Sequence, residues 1–360
     1  MITAAQRIEA LLASRDALAL WIGDFDAHRF NQLLETQLGS HEALDLWVRR
    51  GDTRARAFPL SPLLHIVSGN TPHAAFQSVV RGLLVGSHNR VKLPTGGIPE
   101  FETWVTALPG ELSQLIEIRE DLPDEWRLTS AAAVIFGGSA TIETFRQQLP
   151  AGLPRIEYGP KLSIAMVFSP DRQAADLAAI DILAFEQLGC LSVQAVYVAG
   201  GPLPTREFAL TLAEALARHR ERQPRPAISL SDAGAISNAR ELVRFRAANG
   251  EDTALIESPG DTSWTVVYAS DPTLAPGPLN GYVTVHPLPA SGQLPAALGP
   301  EAAHLSTVAL HPFTDAFADR LELLAAPRVC SLGRSQQPPL FWHHDGRPPL
   351  ADLVTWRDRG

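Results

Sequence analysis

Short apolar runs that stop at glycine, serine or asparagine and give way to helical patterns recur through most of this chain. That alternation is what most restricts its fold. "LLHIVSGN" is such a run, and in "AAFQSVVRGLLVG" the apolar residues return at helical spacing. "NRVKLPTGG" reads as a strand closed by Pro and Gly, and "AAAVIFGGSATIETFRQQLP" as strand, Gly-Gly turn and helix. Strands alternating with helices of this length predict an α/β fold on a mostly parallel, doubly wound sheet.

The second half repeats the style. "LSIAMVF" is a strand, "AADLAAIDILAFEQLG" a helix, "VQAVYVAG" a strand, and "PTREFALTLAEALARHRER" a helix with Pro in its first turn. A Pro-rich stretch around 222–228 is a loop, after which "SWTVVYA" and "GYVTVHPL" are strands. "STVALHPF", the helix "AFADRLELLAAP" and the strand "RVCSL" close the pattern. Residues 1–57 read as helical, and the tail beyond Gly333 as an irregular extension. The expected divisions are 1–157, 158–333 and 334–360. At 360 residues, about two domains is the ordinary expectation.

Charge and cysteine usage narrow the function. A net charge of -9 opposes binding to nucleic acid or an anionic membrane surface. Two cysteines, Cys190 and Cys330, are too few for a disulfide framework or a zinc cluster, which leads us to expect a reducing cytoplasm. The N-terminal stretch carries acids among its apolar positions, and no run is long enough for a membrane span. His343, His344 and Asp345 invite a metal reading, but adjacent imidazoles seldom converge on one ion, so no metal is expected.

Five places in the chain carry candidate chemistry. Gly137-Gly138-Ser139 opens a helix, where free backbone N–H groups suit a phosphate, or Ser139 simply caps the helix; the spacing is not G-x-G-x-x-G. Asn70 lies between a strand end and a helix start, able to donate to an oxyanion or to cap the helix. Lys92 ends a strand, within reach of a ribose or phosphate or on plain surface. Glu157 precedes a Gly-Pro turn, where partial burial would raise it toward a general base, or where it is a solvated loop acid. Cys190 follows a helix that Gly189 would close. The negative end of that helix opposes a thiolate, and a structural role competes with a nucleophilic one. Cys330 reads as a strand-core residue.

The order of these residues resembles the aldehyde dehydrogenase superfamily. "GNTP" is similar to its Asn-containing segment, "VIFGGSATI" to its phosphate turn, "IEYGPKLS" to its glutamate motif, and "FEQLGCLSVQAVYV" to its nucleophile segment. Within it, "HIVSGNTPHAAFQSVVRGLLVGSHNRVKLP", "EQLGCLSVQAVYV" and "PPLFWHHDGRPPLADLVTW" resemble the LuxC-type acyl-CoA reductases. The resemblance runs from about residue 58 to the C-terminus.

That resemblance implies two Rossmann-like domains with a cleft between them, cofactor-binding in 1–157 and catalytic in 158–333. It implies Cys190 as nucleophile, Asn70 and the Cys190 backbone N–H at the oxyanion, and Lys92 with Gly137, Gly138 and Ser139 at the cofactor. The implied reaction is NADPH-dependent reduction of acyl-CoA or an acyl-carrier protein to the aldehyde, by a homo-oligomer.

Two departures bear on it. Leu93-Pro94-Thr95 puts no acid three residues after Lys92, where many aldehyde-oxidising members hold a ribose; this favours NADPH, with NADH possible. No later glutamate appears near "PLNGYVTVHPL". Glu157 keeps open an NAD(P)-dependent aldehyde dehydrogenase that forms the acid. A cofactor-free acyltransferase or scaffold on the same fold is the third reading.

Overall fold

The computed structural model describes residues 2–321 and 324–360. Three amphipathic helices open the chain: α1 (Ala4–Leu12), α2 (Arg15–Ile22) and α3 (Ala27–Leu38). Thr3 and Gln6 form a reciprocal capping box on α1, and the Asp26 carboxylate accepts from the Arg29 N–H to cap α3. Helix then gives way to strands β1 (Val48–Arg50) and β2 (Thr53–Pro59). This corrects the expectation of helix through residue 57. Gly51 turns at φ +63°, and beyond it Ala55 and Ala57 are buried while Arg54 is exposed and Arg56 half-buried, a period of two. The tail is corrected too. Val354–Arg359 is a strand antiparallel to β2, with Arg357 over the Phe58 ring and Arg50 over Trp356.

The β-α alternation follows. β3 (Leu63–Ile66), helix α4 (His73–Val85), β4 (Asn89–Lys92), α5 (Pro99–Ala107), α6 (Gly110–Ser113) and β5 (Ile116–Arg119) come first. They lead into α7 (Asp124–Thr129), β6 (Ala132–Phe136), α8 (Ser139–Gln148) and β7 (Arg155–Tyr158). All five strands pair in parallel, in the order β5-β4-β3-β6-β7. Chain direction across the sheet reverses between β3 and β6. The carboxyl ends at such a switch point form the crevice where open α/β sheets bind ligands.

A buried polar lock joins β3, α4 and β4. The His65 ring is fully buried, with Nε2 2.9 Å from the Asn89 side-chain oxygen and Nδ1 2.7 Å from the Ser78 hydroxyl. The Asn89 amide nitrogen donates to the Ser87 and Leu115 carbonyls, so its oxygen is the acceptor and His65 carries its proton on Nε2. Gly82 permits this approach, because a Cβ there would lie 2.0 Å from the Asn89 oxygen.

The first compact unit is Met1–Pro160 with Gln337–Gly360, and the second is Lys161–Gln336. The second holds β8 (Leu162–Val167), α9 (Arg172–Leu183), β9 (Val193–Val198), α10 (Pro202–Arg222), α11 (Leu230–Ala248), β10 (Thr253–Glu257), β11 (Thr265–Ala269), β12 (Tyr282–Pro287), β13 (Leu305–His311) and β14 (Arg328–Ser331). Its sheet runs β10-β11-β12-β9-β8-β13-β14, parallel throughout except for the antiparallel edge strand β10. Ala174, Ala175, Ala178 and Ala179 let α9 pack closely on one face, beside Ala165, Val167, Val196 and Ala309. The sequence patterning predicts neither α11 nor β10. The expected helix over "AFADRLELLAAP" is helical over Asp315–Asp319, and residues 322 and 323 lie outside the described residues.

Burial pulls His65 down to about 4 from its ordinary 6.5, so the unfolded chain binds the proton first. Stability is therefore lost as pH falls from 6.5 toward 4. Denaturant unfolding at neutral pH and at about pH 4.5 should differ by about 2.5 kcal/mol more in the parent than in His65→Gln. Equal losses in the two proteins would refute this assignment.

Candidate active site

The expected residues of the first unit gather at the carboxyl ends of its parallel strands. Asn70 is exposed in the bend after β3; helix α4 takes Pro72 at its N-cap with no side-chain cap, so Asn70 is not used as one. Lys92 is the last residue of β4, half-buried, and lies in register with exposed Arg119, the last residue of β5. Two cations thus stand at neighbouring strand ends. Arg119 escaped the sequence reading because β5 is only four residues long.

Gly137 and Gly138 follow β6, and Ser139 is the first residue of α8. Gly138, not Ser139, is the N-cap, and no side chain caps the helix. The two glycines serve different ends. A Cβ on Gly137 would lie 2.7 Å from Thr141, whereas one on Gly138 meets nothing within 4 Å. The helix start therefore offers backbone N–H groups next to open space, a fit for an anionic phosphate.

Glu157 departs from expectation. Its carboxylate accepts from Arg146 Nε at 3.0 and 3.1 Å and again from Arg146 Nη2, with Arg155 3.7 Å away. Hydrogen bonding from Arg146 is the main cause holding it below the usual carboxylate range; burial works against this, and Arg155 and Arg347 add to it. The raised value expected of a general base is overturned.

In the second unit the sequence pattern predicts helix as far as Gly189. The helix ends at Leu183, and Phe185, Glu186 and Gln187 then take left-handed conformations with φ of 51°, 54° and 61°. Gly189 instead begins a tight turn: the Ser192 N–H donates to its carbonyl at 3.1 Å, with partly buried Cys190 in the second position. The Ser163 hydroxyl donates to the Cys190 carbonyl at 2.9 Å. Cys190 is thus well past the end of α9, and a helix dipole fades within one turn, so the objection from the negative helix end falls away.

Left-handed L-residues cost about 1–2 kcal/mol each. Five of the seven non-glycine residues with positive φ among those described lie here, at 185–187 and at Leu279 and Asn280. Gln187 holds the two segments together. It is buried, and its amide nitrogen donates to the Val193 carbonyl at 2.9 Å and the Tyr282 carbonyl at 3.0 Å. Its oxygen accepts from the Gly281 N–H at 2.8 Å. The Asn280 N–H donates to the Glu186 carbonyl, and the Glu186 carboxylate pairs with Arg220. Replacing Gln187 by Leu removes all three of these buried hydrogen bonds at once. We expect a loss of about 3 kcal/mol or more in denaturant unfolding; a loss under about 1 kcal/mol would mean that the segment is held by other contacts.

Among the described residues no group of three or more His, Cys, Asp and Glu could hold a metal ion. Cys330 lies in β14, where burial pushes its thiol up to about 11. Comparison with known proteins agrees with the architecture. The structure superposes on an NADP-dependent glyceraldehyde-3-phosphate dehydrogenase of Bacillus halodurans C-125 with a TM-score of 0.70 and 14% identity, covering 100% of this chain and 87% of that one. The lactaldehyde dehydrogenase of Escherichia coli gives 0.69 and 13%, over 99% and 87%. Those likenesses establish an aldehyde dehydrogenase-like fold. In sequence, the long-chain acyl-protein thioester reductase of Vibrio harveyi is 24% identical over 340 residues, 90% of this chain and 69% of that one. Long-chain acyl-protein thioester reductase 2 of Photobacterium leiognathi is 25% identical over 348 residues, 90% and 69%. The profile of the family described as Acyl-CoA reductase (LuxC) matches residues 9–96 and 107–356, and with nearly the whole chain so covered, the protein belongs to that family.

Proposed function

We propose that this protein reduces an acyl thioester, carried on coenzyme A or on a protein thiol, to the aldehyde at the expense of NADPH. Cys190 is the acyl acceptor and Asn70 the amide donor to the oxyanion, a role taken from its motif. The first unit is the cofactor domain and the second the acyl-transfer domain. Membership of an acyl-CoA reductase family and relatives named acyl-protein thioester reductases support the substrate class.

One observation carries the choice between reduction and acid formation. Forming an acid from an acyl-enzyme requires a base to activate water, and Glu157 is tied to Arg146 and Arg155 as a stabilised carboxylate. A reductase needs no such base.

The Cys190 thiolate sulfur attacks the thioester carbonyl, the bond to the carrier sulfur breaks, and the carrier leaves as a thiol after taking up a proton. The reduced nicotinamide, when bound, supplies a hydride to the acyl carbon. The resulting thiohemiacetal alkoxide re-forms its C=O bond as the C–S bond breaks, releasing the aldehyde and Cys190 as thiolate. Sulfur serves both steps because it is a good nucleophile and a good leaving group.

The residues at the first unit's strand ends fit a phosphorylated nicotinamide cofactor. The α8 N-terminus with Gly138 suits the pyrophosphate. Lys92 and Arg119 side by side, with Thr95 in place of an acid, suit a 2′-phosphate. A cytoplasmic setting suits two thiols outside any disulfide, and no helix among the described residues is long and apolar enough to cross a membrane. The homo-oligomeric state implied by the family likeness is part of the same proposal, and light scattering in solution would read the number of subunits.

Incubation with acyl-CoA and NADPH should consume NADPH and release free thiol, and Cys190→Ser should lower both by about three orders of magnitude. NADPH oxidation persisting in that variant would sink the nucleophile. Production of NAD(P)H from aldehyde without coenzyme A would favour the acid-forming reading, and acyl transfer without nicotinamide binding would favour the acyltransferase. In calorimetric titrations Arg119→Glu should weaken NADPH binding by about tenfold while leaving NADH nearly unchanged. Equal losses for the two cofactors would exclude a 2′-phosphate contact.

A further inference from the structure

Under the Cys190 turn lies a row of residues on one face of the second sheet. Ser163 on β8 is in register with Thr307 on β13, and Thr307 with Arg328 on β14. Register partners in a parallel sheet share a face. Two residues further on, Ala165, Ala309 and Cys330 belong to the core that α9 packs against, so the row faces α9. Ser163 holds the Cys190 carbonyl, and Thr307 between the two ends is buried and uncharged.

The Arg328 guanidinium is fixed in direction. Nη2 donates to the Arg334 carbonyl at 2.8 Å and Nη1 to the Ser335 carbonyl. That loop is itself pinned. The buried Asp181 carboxylate on α9 accepts from the Gly333 N–H at 2.7 Å and the Ser335 N–H at 3.0 Å. A Cβ on Gly333, at φ +83°, would lie 2.6 Å from Leu177. The next residue, Gln336, donates its amide to the Ser192 hydroxyl at 2.6 Å, inside the tight turn that carries Cys190. Hydrogen bonds thus run without a break from Arg328 through the 334–336 loop to the nucleophile turn.

We propose that Arg328 is the cation that stabilises the Cys190 thiolate, held toward the turn by the 334–336 loop and Asp181. The proposal rests on the reading of Cys190 as the acyl acceptor and adds the group that charges it. Among the titratable and charged groups of the packed elements, Arg328 and Cys330 come from β14, Arg172, Asp176 and Asp181 from α9, His311 from the end of β13, and exposed Arg334 from the loop. Asp176 is paired with Arg218 on α10, and His311 lies 3.7 Å from Asp171. Glu186 of the left-handed segment is paired with Arg220 on α10. Burial lowers the Arg328 affinity for its proton, and Cys330, Asp181 and Cys190, in that order, oppose the shift, so the guanidinium and the Cys190 sulfur are within electrostatic reach. Asp181, raised to about 6 mainly by burial, tempers the arginine's charge while anchoring the loop.

The test is the pH profile of Cys190 alkylation by iodoacetamide, followed by mass spectrometry of the peptide that contains it, in the parent protein, Arg328→Gln and Arg328→Lys. An opposite charge close by favours an ionised group by about 1–3 pH units. The glutamine variant, which still offers N–H groups to the loop carbonyls, should move the midpoint up by about 1 unit or more. The lysine variant, which loses the fork but keeps the charge, should return most of that shift. Superimposable profiles for parent and glutamine variant would overturn the proposal. So would a lysine variant that matches glutamine, since a merely structural arginine would make both fail alike. Turnover by Cys190→Ser, measured alongside, is a separate readout: if it persists, the nucleophile reading fails, whatever the alkylation profiles show.

Discussion

The second unit turns on one buried amide. If the chain after Leu183 continued as helix, Cys190 would be carried at or near the C-terminus of α9, facing carbonyl oxygens that repel a thiolate. Three left-handed residues break that course. L-residues do not hold such conformations unaided. Gln187 compensates by joining its own segment to the first residue of β9 and to the 279–282 turn, using both donors and its acceptor. The orientation of the Cys190 turn is therefore set by packing and hydrogen bonding far more than by the local preferences of Phe, Glu and Gln.

The first unit meets a different constraint. Parallel strands end together, and where their order reverses between β3 and β6 the connecting backbones diverge and leave a crevice. Asn70, Lys92 and Gly138 stand at that edge because each follows or ends a strand, and Glu157 is one residue short of the end of β7, which is also why they are spaced so widely in sequence. The edge is rich in positive charge and donors. Lys92 and Arg119 are in register, and α8 presents its N-terminus. Glu157 brings the opposite charge, and Arg146 and Arg155 neutralise it. An anionic ligand at this edge would meet cations and N–H groups, with the nearby carboxylate already engaged.

Those strand-end residues were legible because an apolar run, its stopping residue and the helix after it are local signals. The order of Asn70, Lys92, the Gly137 turn, Glu157 and Cys190 was legible for the same reason. What escaped depends on residues distant in sequence. The antiparallel pairing of β2 with Val354–Arg359 joins opposite ends of the chain, so neither strand shows its partner. "AFEQLG" contains no glycine or asparagine where the backbone turns left-handed, and it reads as helix until Tyr282 and Gly281 are in view. Glu157 looked like a base because Arg146, eleven residues earlier, comes beside it only once α8 packs near β7. Asp181 did leave a trace, as one of two acids among the alanines and leucines of α9. Its partners at 333 and 335 lie about 150 residues away.

The two cysteines show why charge and backbone must act together. Cys330 shares its strand with Arg328, and the arginine's field does favour its thiolate, yet burial outweighs that field and pushes the thiol up to about 11. A neighbouring cation is therefore not enough to make a thiol reactive inside a strand. Cys190 stands outside the strands, in a turn whose carbonyl is held by Ser163 and whose serine hydroxyl is held by Gln336. The same loop that fixes this turn also fixes the direction of the Arg328 fork. In this fold one short connection, 333–336, fixes both the Arg328 guanidinium and the serine hydroxyl of the turn that carries Cys190.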